Sequence, residues 1–334
     1  MNCTLRINKA IRRRKSGALR SDIENLKSCL NLIKGIATSS KRNFYLSWYQ
    51  EYIENRLILS KINQYLPGRM IPNKIKLANT TAINKILRND VIILNDILLP
   101  YPKDNSEYGE YMEYLNVISD SVLAYLINDI DPNRLYEMYS QLPFWNEGLY
   151  EYKEIRLETG DIVIDAGASF GVFSALAGIK GCKAYAFEPA TNNIEKYLSK
   201  TAELNPNITI CQYALSDKEG ELDFEEDVCG LLGSSSVMPL EKSNKTKAQA
   251  IDLDTFVNKN NLPRVDFIKA DIEGAERDML MGAKRVMKEF SPKIAICTYH
   301  LPDDPQVLRE LIMSANPNYI IEERWKKMYA HVPK

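Results

Sequence analysis

Asp161-Ile-Val-Ile-Asp-Ala-Gly-Ala-Ser-Phe-Gly171 is the stretch whose reading decides the fold. Ile162, Val163 and Ile164 make a short β-branched run, the pattern of a strand buried on both faces of a parallel sheet. Asp165 ends the run, and Gly167, Ser169 and Gly171 follow in a tight loop. A helical pattern begins at once, with Val172, Phe173, Leu176 and Ala177 on one face. Glycines let the backbone turn sharply and approach a ligand closely, and a helix N-terminus offers unpaired N–H groups.

Two nucleotide cofactors use loops of this kind. The dinucleotide fingerprint needs three glycines, and Ser169 occupies the middle place, so the match to NAD is poor. An acid at Asp165 would also oppose the negative pyrophosphate of NAD. S-adenosylmethionine carries an ammonium and a sulfonium, both of which an acid at the strand end suits. A second strand pattern, Lys183-Ala-Tyr-Ala-Phe187, ends in Glu188, seventeen residues past Gly171. An acid there can accept both ribose hydroxyls, as acids at that place do in doubly wound folds. An ordinary α/β protein with a simple glycine turn is the bland alternative.

The chain of 334 residues is long enough for two domains, and 45% apolar with 26% charged residues is ordinary for a soluble globular protein. A net charge of −1 gives no general attraction to nucleic acid, and none is expected as a partner. No apolar run approaches a membrane span, and no signal-peptide pattern opens the chain. The six cysteines are scattered without metal-ligand spacing and read as core residues in a reducing compartment. With His300 and His331 as the two histidines, a histidine-rich metal site is excluded. A cytoplasmic location is expected.

Residues 1–42 hold eleven Lys or Arg against Asp22 and Glu24. Leu19, Ile23, Leu26, Leu30, Ile33 and Ala37 recur there at steps of four and three, an amphipathic helix suited to its own domain, a homodimer or another partner. Further helical patterns occupy 44–66, 74–88, 107–130 and 131–141. Residues 1–140 therefore read as an all-α N-terminal domain of unstated role, and 141–334 as the catalytic domain. A β-hairpin or lid is expected around 143–157, an antiparallel excursion over 221–252, and a flexible loop at 230–236.

Two later stretches carry chemistry. In Val265-Asp-Phe-Ile-Lys-Ala-Asp-Ile-Glu-Gly-Ala-Glu276 a strand ends at Asp271, which should share a cleft with Asp165 and Glu188. Gly274 opens a single helix with Ala275, Met279, Ala283, Val286 and Phe290 on its apolar face. Asp271 and Glu273 are read as functional, whereas Glu276 suits the positive helix end. In Pro292-Lys-Ile-Ala-Ile-Cys-Thr-Tyr-His300 the next strand runs over 294–298 and leaves His300 beside the cleft. Such a histidine can accept a proton near neutral pH, with Asp303 or Asp304 orienting it or capping the next helix.

From about Gly148 onward the chain resembles the FkbM family of S-adenosylmethionine-dependent methyltransferases. The matching residues are Val163-Ile-Asp-Ala-Gly-Ala168 with Gly171, Phe187-Glu-Pro189, Ala214-Leu-Ser-Asp217, Ile251-Asp-Leu-Asp254, Asp266 through Glu276, and Tyr299-His300. The resemblance implies an α/β class I methyltransferase fold, a Rossmann-like doubly wound seven-stranded sheet, with its last strands near 319–325 and 327–332. It implies a small-molecule or glycan acceptor methylated on a hydroxyl. The expected cofactor residues are Asp165, Gly167, Ala168, Ser169, Phe170, Gly171, Glu188, Pro189, Ala214, Leu215 and Asp271, and the catalytic ones His300, Asp271 and Glu273. His300 is the expected base. In a metal-assisted version Asp271 and a neighbouring acid hold Mg²⁺. A non-catalytic S-adenosylmethionine-binding module and an NAD-dependent oxidoreductase are the other readings.

Overall fold

The computed structural model describes residues 87–88, 91–94, 97–100, 150–227, 243–324 and 326–333. The chain divides into two compact units, one of residues 1–95 with 105–146, the other of 96–104 with 147–334. In the first, the described strands β1 (Leu87–Arg88) and β2 (Val91–Leu94) pair antiparallel. These strands correct the all-α expectation for residues 1–140, and Leu87–Arg88 is strand where the expected 74–88 helix would end. The basic amphipathic helix and the other expected helices lie outside the described residues.

The second unit begins with β3 (Ile97–Pro100), whose Ile97 and Leu99 are buried. A tight turn near residue 153 is closed by mutual 2.9 Å backbone hydrogen bonds between Tyr152 and Ile155. It is the smallest form of the expected hairpin. Then come β4 (Ile162–Ala166), α1 (Val172–Ile179) and β5 (Lys183–Phe187). An irregular helix contains a π turn at Ile194–Leu198 and ends in α2 (Ser199–Leu204). Next are β6 (Ile208–Cys211), β7 (Ala214–Leu215), β8 (Gly220–Asp227), β9 (Ser243–Ile251) and α3 (Leu253–Lys259). The chain finishes through β10 (Phe267–Ala270), α4 (Glu276–Met281), α5 (Lys284–Glu289), β11 (Lys293–Cys297), α6 (Asp304–Ala315), β12 (Ile320–Arg324) and β13 (Lys327–His331).

Seven strands form one sheet in the order β12-β13-β11-β10-β4-β5-β6. Neighbours from β11 to β6 are parallel, and β13 lies antiparallel between β11 and β12. Alternation of strand and helix produces this doubly wound arrangement, because each parallel return needs a crossover. Val163, Ile164, Ala166, Phe267, Ile268, Ala270 and Ile294 through Cys297 are buried to 0%, as central parallel strands must be. β8 and β9 pair antiparallel and β7 joins β9, so the expected excursion is a small second sheet. The loop expected at 230–236 lies outside the described residues.

The helix expected after Gly274 is broken into α4 and α5 at Gly282-Ala283. A Cβ at Gly282 would overlap the Ser216 carbonyl oxygen, so the backbone just past β7 packs directly on the break. No helix among the described residues is long and apolar enough to cross a membrane. Cys182, Cys211 and Cys297 are buried and free, as read for core thiols.

Candidate active site

β4 and β10 are parallel neighbours, with Asp165 opposite Lys269 and Ala166 opposite Ala270. From β4 the chain winds outward to β5 and β6, then returns across β4 to start β10. Ligands in open α/β sheets bind at such a reversal, beyond the carboxyl ends of the strands. Gly167 and Asp271, each one residue past its strand, meet there. Asp271 N–H donates to the Ala166 carbonyl at 3.2 Å. Gly167 has φ 72°, and a Cβ on it would overlap the Asp271 carbonyl oxygen. Both facts require glycine.

The loop is stitched to the next strand. Gly167 and Ala168 N–H donate to the Phe187 carbonyl at 3.0 and 2.9 Å. Ser169 takes φ 51°, and its N–H donates to Glu188 Oε2 at 2.9 Å. Glu188 Oε1 accepts from Ala190 N–H at 2.9 Å and from the Asn193 amide at 3.3 Å. Burial drives the Glu188 pKa up, and those three donors only partly oppose it. Phe170 is buried edge-on against Tyr197, with ring centres 4.3 Å apart, and Gly171 at φ 79° opens α1. Pro189 is half-buried beside Glu188. Ala214 packs against the small cluster of Ala190, Phe224 and Ala248. Leu215 is buried in the main core and aligns with Ile251, so its side chain is packing.

Asp165 also has another task. Its carboxylate is fully buried, accepts the Ser174 hydroxyl at 2.7 Å and lies 3.0 Å from Lys269 Nζ. Lys269 donates to the Ala166 and Gly167 carbonyls at 3.1 and 2.6 Å, holding the loop from behind. Burial lowers the Lys269 pKa, but Asp165 and Asp271 more than restore it, so it stays charged. The pairing neutralises Asp165, which removes the electrostatic argument against NAD. Sheet topology replaces it, since dinucleotide folds run 3-2-1-4-5-6 without the antiparallel β13. A lysine inside the otherwise apolar Phe267-Ile-Lys-Ala270 strand was the available sequence signal for this pair.

Asp271 is the best-supported acid. The Tyr150 and Tyr299 hydroxyls donate to it at 2.7 and 3.3 Å. Burial alone would raise its pKa, yet Lys269, Lys327, Tyr150 and His300 hold it below the usual carboxylate value. Glu273, at φ 53°, and Gly274, at φ 103°, form a tight turn past it. Glu276, set aside in the sequence reading, is buried to 0% and folds its carboxylate back over that turn. It accepts Ile272 N–H at 2.8 Å and Gly274 N–H at 3.0 Å.

His300 joins these acids. Its Nδ1 is 3.0 Å from Glu276 Oε1, and its Nε2 is 3.5 Å from Glu273 Oε2 and 3.7 Å from Asp271 Oδ1. Burial favours the neutral ring, but Glu276, Asp271 and Glu273 outweigh it and push the pKa to about 9. The three acids thus favour the protonated ring at neutral pH, a state in which it holds a proton rather than takes one. Asp303 and Asp304 do not orient it: both pair with Arg277, and Asp304 also accepts Leu301 N–H.

The strand order, the antiparallel β13 and the glycine loop at the reversal point define a class I methyltransferase fold. Residues 165–321 match the methyltransferase FkbM domain. A hexuronic acid methyltransferase, AglP of Haloferax volcanii, is 24% identical over 159 residues, which are 47% of this chain and 64% of that protein. Methyltransferase FkbM from Methylobacillus flagellatus KT superposes with a TM-score of 0.41 and 20% identity over 77% of this chain. The overlap spans 59% of that chain. A SAM-dependent methyltransferase from Aquifex aeolicus gives a TM-score of 0.34 and 15% identity, over 60% of this chain and 97% of its own.

Proposed function

We propose that the chain transfers a methyl group from S-adenosylmethionine to a hydroxyl of a sugar or glycan. The observation that carries this reading is the meeting of the Gly167–Gly171 loop, Glu188 and Asp271 at the sheet reversal. Glu188 already accepts from three donors, which leaves about one of its four lone-pair sites, on Oε2, for a ribose hydroxyl. The loop N–H groups and the start of α1 lie beside it. The hexuronic acid substrate of the Haloferax relative makes sugar hydroxyls the first class to try.

In the transfer the acceptor oxygen bonds the methyl carbon while the sulfur–carbon bond breaks and its electron pair returns to sulfur. The methylated oxygen then bears a proton that a carboxylate can take. Glu273, whose side chain is 32% exposed, is our choice for that step, with Asp271 and protonated His300 orienting the acceptor. Most of the acceleration would come from holding oxygen and carbon in line in a water-poor cleft. Magnesium has no place in this reading, because an imidazole nitrogen stands among the candidate donors. A non-catalytic binding module would have no use for four ionisable groups converging beyond the cofactor loop.

The test is incubation of purified protein with methyl-labelled S-adenosylmethionine and a panel of hexoses and hexuronic acid glycosides, read by mass spectrometry. A gain of one methyl on a hydroxyl supports the reading. Tight cofactor binding with no transfer to any hydroxyl, and transfer to an amine instead, contradicts it.

A further inference from the structure

One donor atom each from Asp271, Glu276 and His300 lies within 4.8 Å of the others. Donors bonded to one divalent ion at about 2.0–2.2 Å stand about 3–4 Å apart. Nε2 of His300 is 3.7 Å from Asp271 Oδ1 and 3.5 Å from Glu273 Oε2, too far for hydrogen bonds and right for shared coordination. The His300 side chain is 5% exposed, and neither ring nitrogen makes a hydrogen bond. Nδ1 faces Glu276 Oε1 at 3.0 Å, an ion-pair distance. Without metal the ring proton balances these acids, and a divalent ion would take that proton's place.

The supports behind the donors fit as well. Ligating carboxylates are themselves hydrogen-bonded, which fixes their direction. Here the Tyr150 and Tyr299 hydroxyls fix Asp271, and the Ile272 and Gly274 N–H groups fix Glu276. We propose that Asp271, Glu276 and His300 form a site for a divalent transition-metal ion such as Mn²⁺ or Zn²⁺, with Glu273 beside it. The imidazole selects this class over Mg²⁺ and Ca²⁺, which take oxygen donors. An ion there would act as a Lewis acid on the acceptor hydroxyl, leaving Glu273 to take its proton. The inference deepens the proposed transfer, but its test needs neither S-adenosylmethionine nor acceptor. Failure of one reading is thereby separable from failure of the other.

Full-length protein stripped with chelator is titrated with MnCl₂, free Mn²⁺ being followed by electron paramagnetic resonance. Mn²⁺ is used first because thiols compete poorly for it. The expected result is one saturable Mn²⁺ per chain, displaced by ZnCl₂ and bound at least tenfold more tightly than Mg²⁺. Asp271→Asn and His300→Gln should each weaken it about tenfold or more, and Tyr150→Phe by about tenfold through Asp271. Circular dichroism verifies folding of each variant, and any one folded variant decides the assignment. Absence of saturable Mn²⁺ and Zn²⁺ binding, equal affinity for Mg²⁺, or unchanged affinity in a folded ligand variant would overturn it.

Discussion

At the scale of single residues, the site is governed by what burial does to charge. Glu188 must be ionised to accept a ribose hydroxyl beside its three internal donors, and burial holds its pKa above the usual carboxylate value. S-adenosylhomocysteine affinity should therefore fall on acidification from a higher pH than an exposed glutamate would give, as calorimetry across pH would register. Glu188→Ala should weaken that affinity by about 1.5–3 kcal/mol, the range for hydrogen bonds to a charged group. His300 has the opposite sign. Its raised pKa gives stability fully present below about 6.5, the ordinary histidine value, and lost as pH rises through about 9. Metal-free protein should lose melting temperature over that window, and His300→Gln should flatten the loss. His300→Ala should lower turnover by about 10²–10³, as removal of one preorganised charge does, with cofactor affinity nearly unchanged. Asp271 and Glu188 were legible because each acid ends a strand pattern. Glu276 was not, because an acid in the first turn of a helix is common, and nothing in its spacing tells that its carboxylate turns back over Ile272 and Gly274.

At the scale of elements, the β4 loop and the β10 loop are locked backbone to backbone. Gly167→Ala forces a side chain into the Asp271 carbonyl at a positive φ, so it should abolish measurable cofactor binding and lower stability together. Lys269→Met leaves Asp165 as an uncompensated buried charge and removes the clamp on two loop carbonyls. We expect a loss of about 3–5 kcal/mol in urea unfolding, the usual result of breaking a buried pair. A loss within the range for surface pairs, under about 1 kcal/mol, would mean that the pair is dispensable. The strands themselves were readable from period and β-branching. The break between α4 and α5 was not, since Ala275, Met279, Ala283 and Val286 keep helical spacing across it. Gly282 at the break lies against the Ser216 carbonyl, sixty-six residues earlier in the chain, a contact that no local pattern encodes.

At the scale of the molecule, parallel strands with antiparallel β13 set the reversal point on which every site residue depends. The order β12-β13-β11-β10-β4-β5-β6 followed from family motifs more than from periodicity, since patterning names strands but not their neighbours. The domain boundary shows the same limit. Residues 96–104 belong with 147–334, although 105–146 separate them in sequence. Asn205 ties this piece down by donating to the Leu98 carbonyl at 2.8 Å. A fragment starting at residue 141 discards the buried Ile97 and Leu99, and should be less stable than one starting at 96 by about 3–6 kcal/mol. Chemical denaturation of the two fragments compares them directly.

The central claim is that the Gly167–Gly171 loop and Glu188 hold S-adenosylmethionine. Calorimetric titration of the full-length protein with S-adenosylhomocysteine and, separately, with NAD tests it most directly. One S-adenosylhomocysteine per chain, weakened in Glu188→Ala, with no heat from NAD, is the predicted result. Saturable NAD binding without a response to S-adenosylhomocysteine would contradict it.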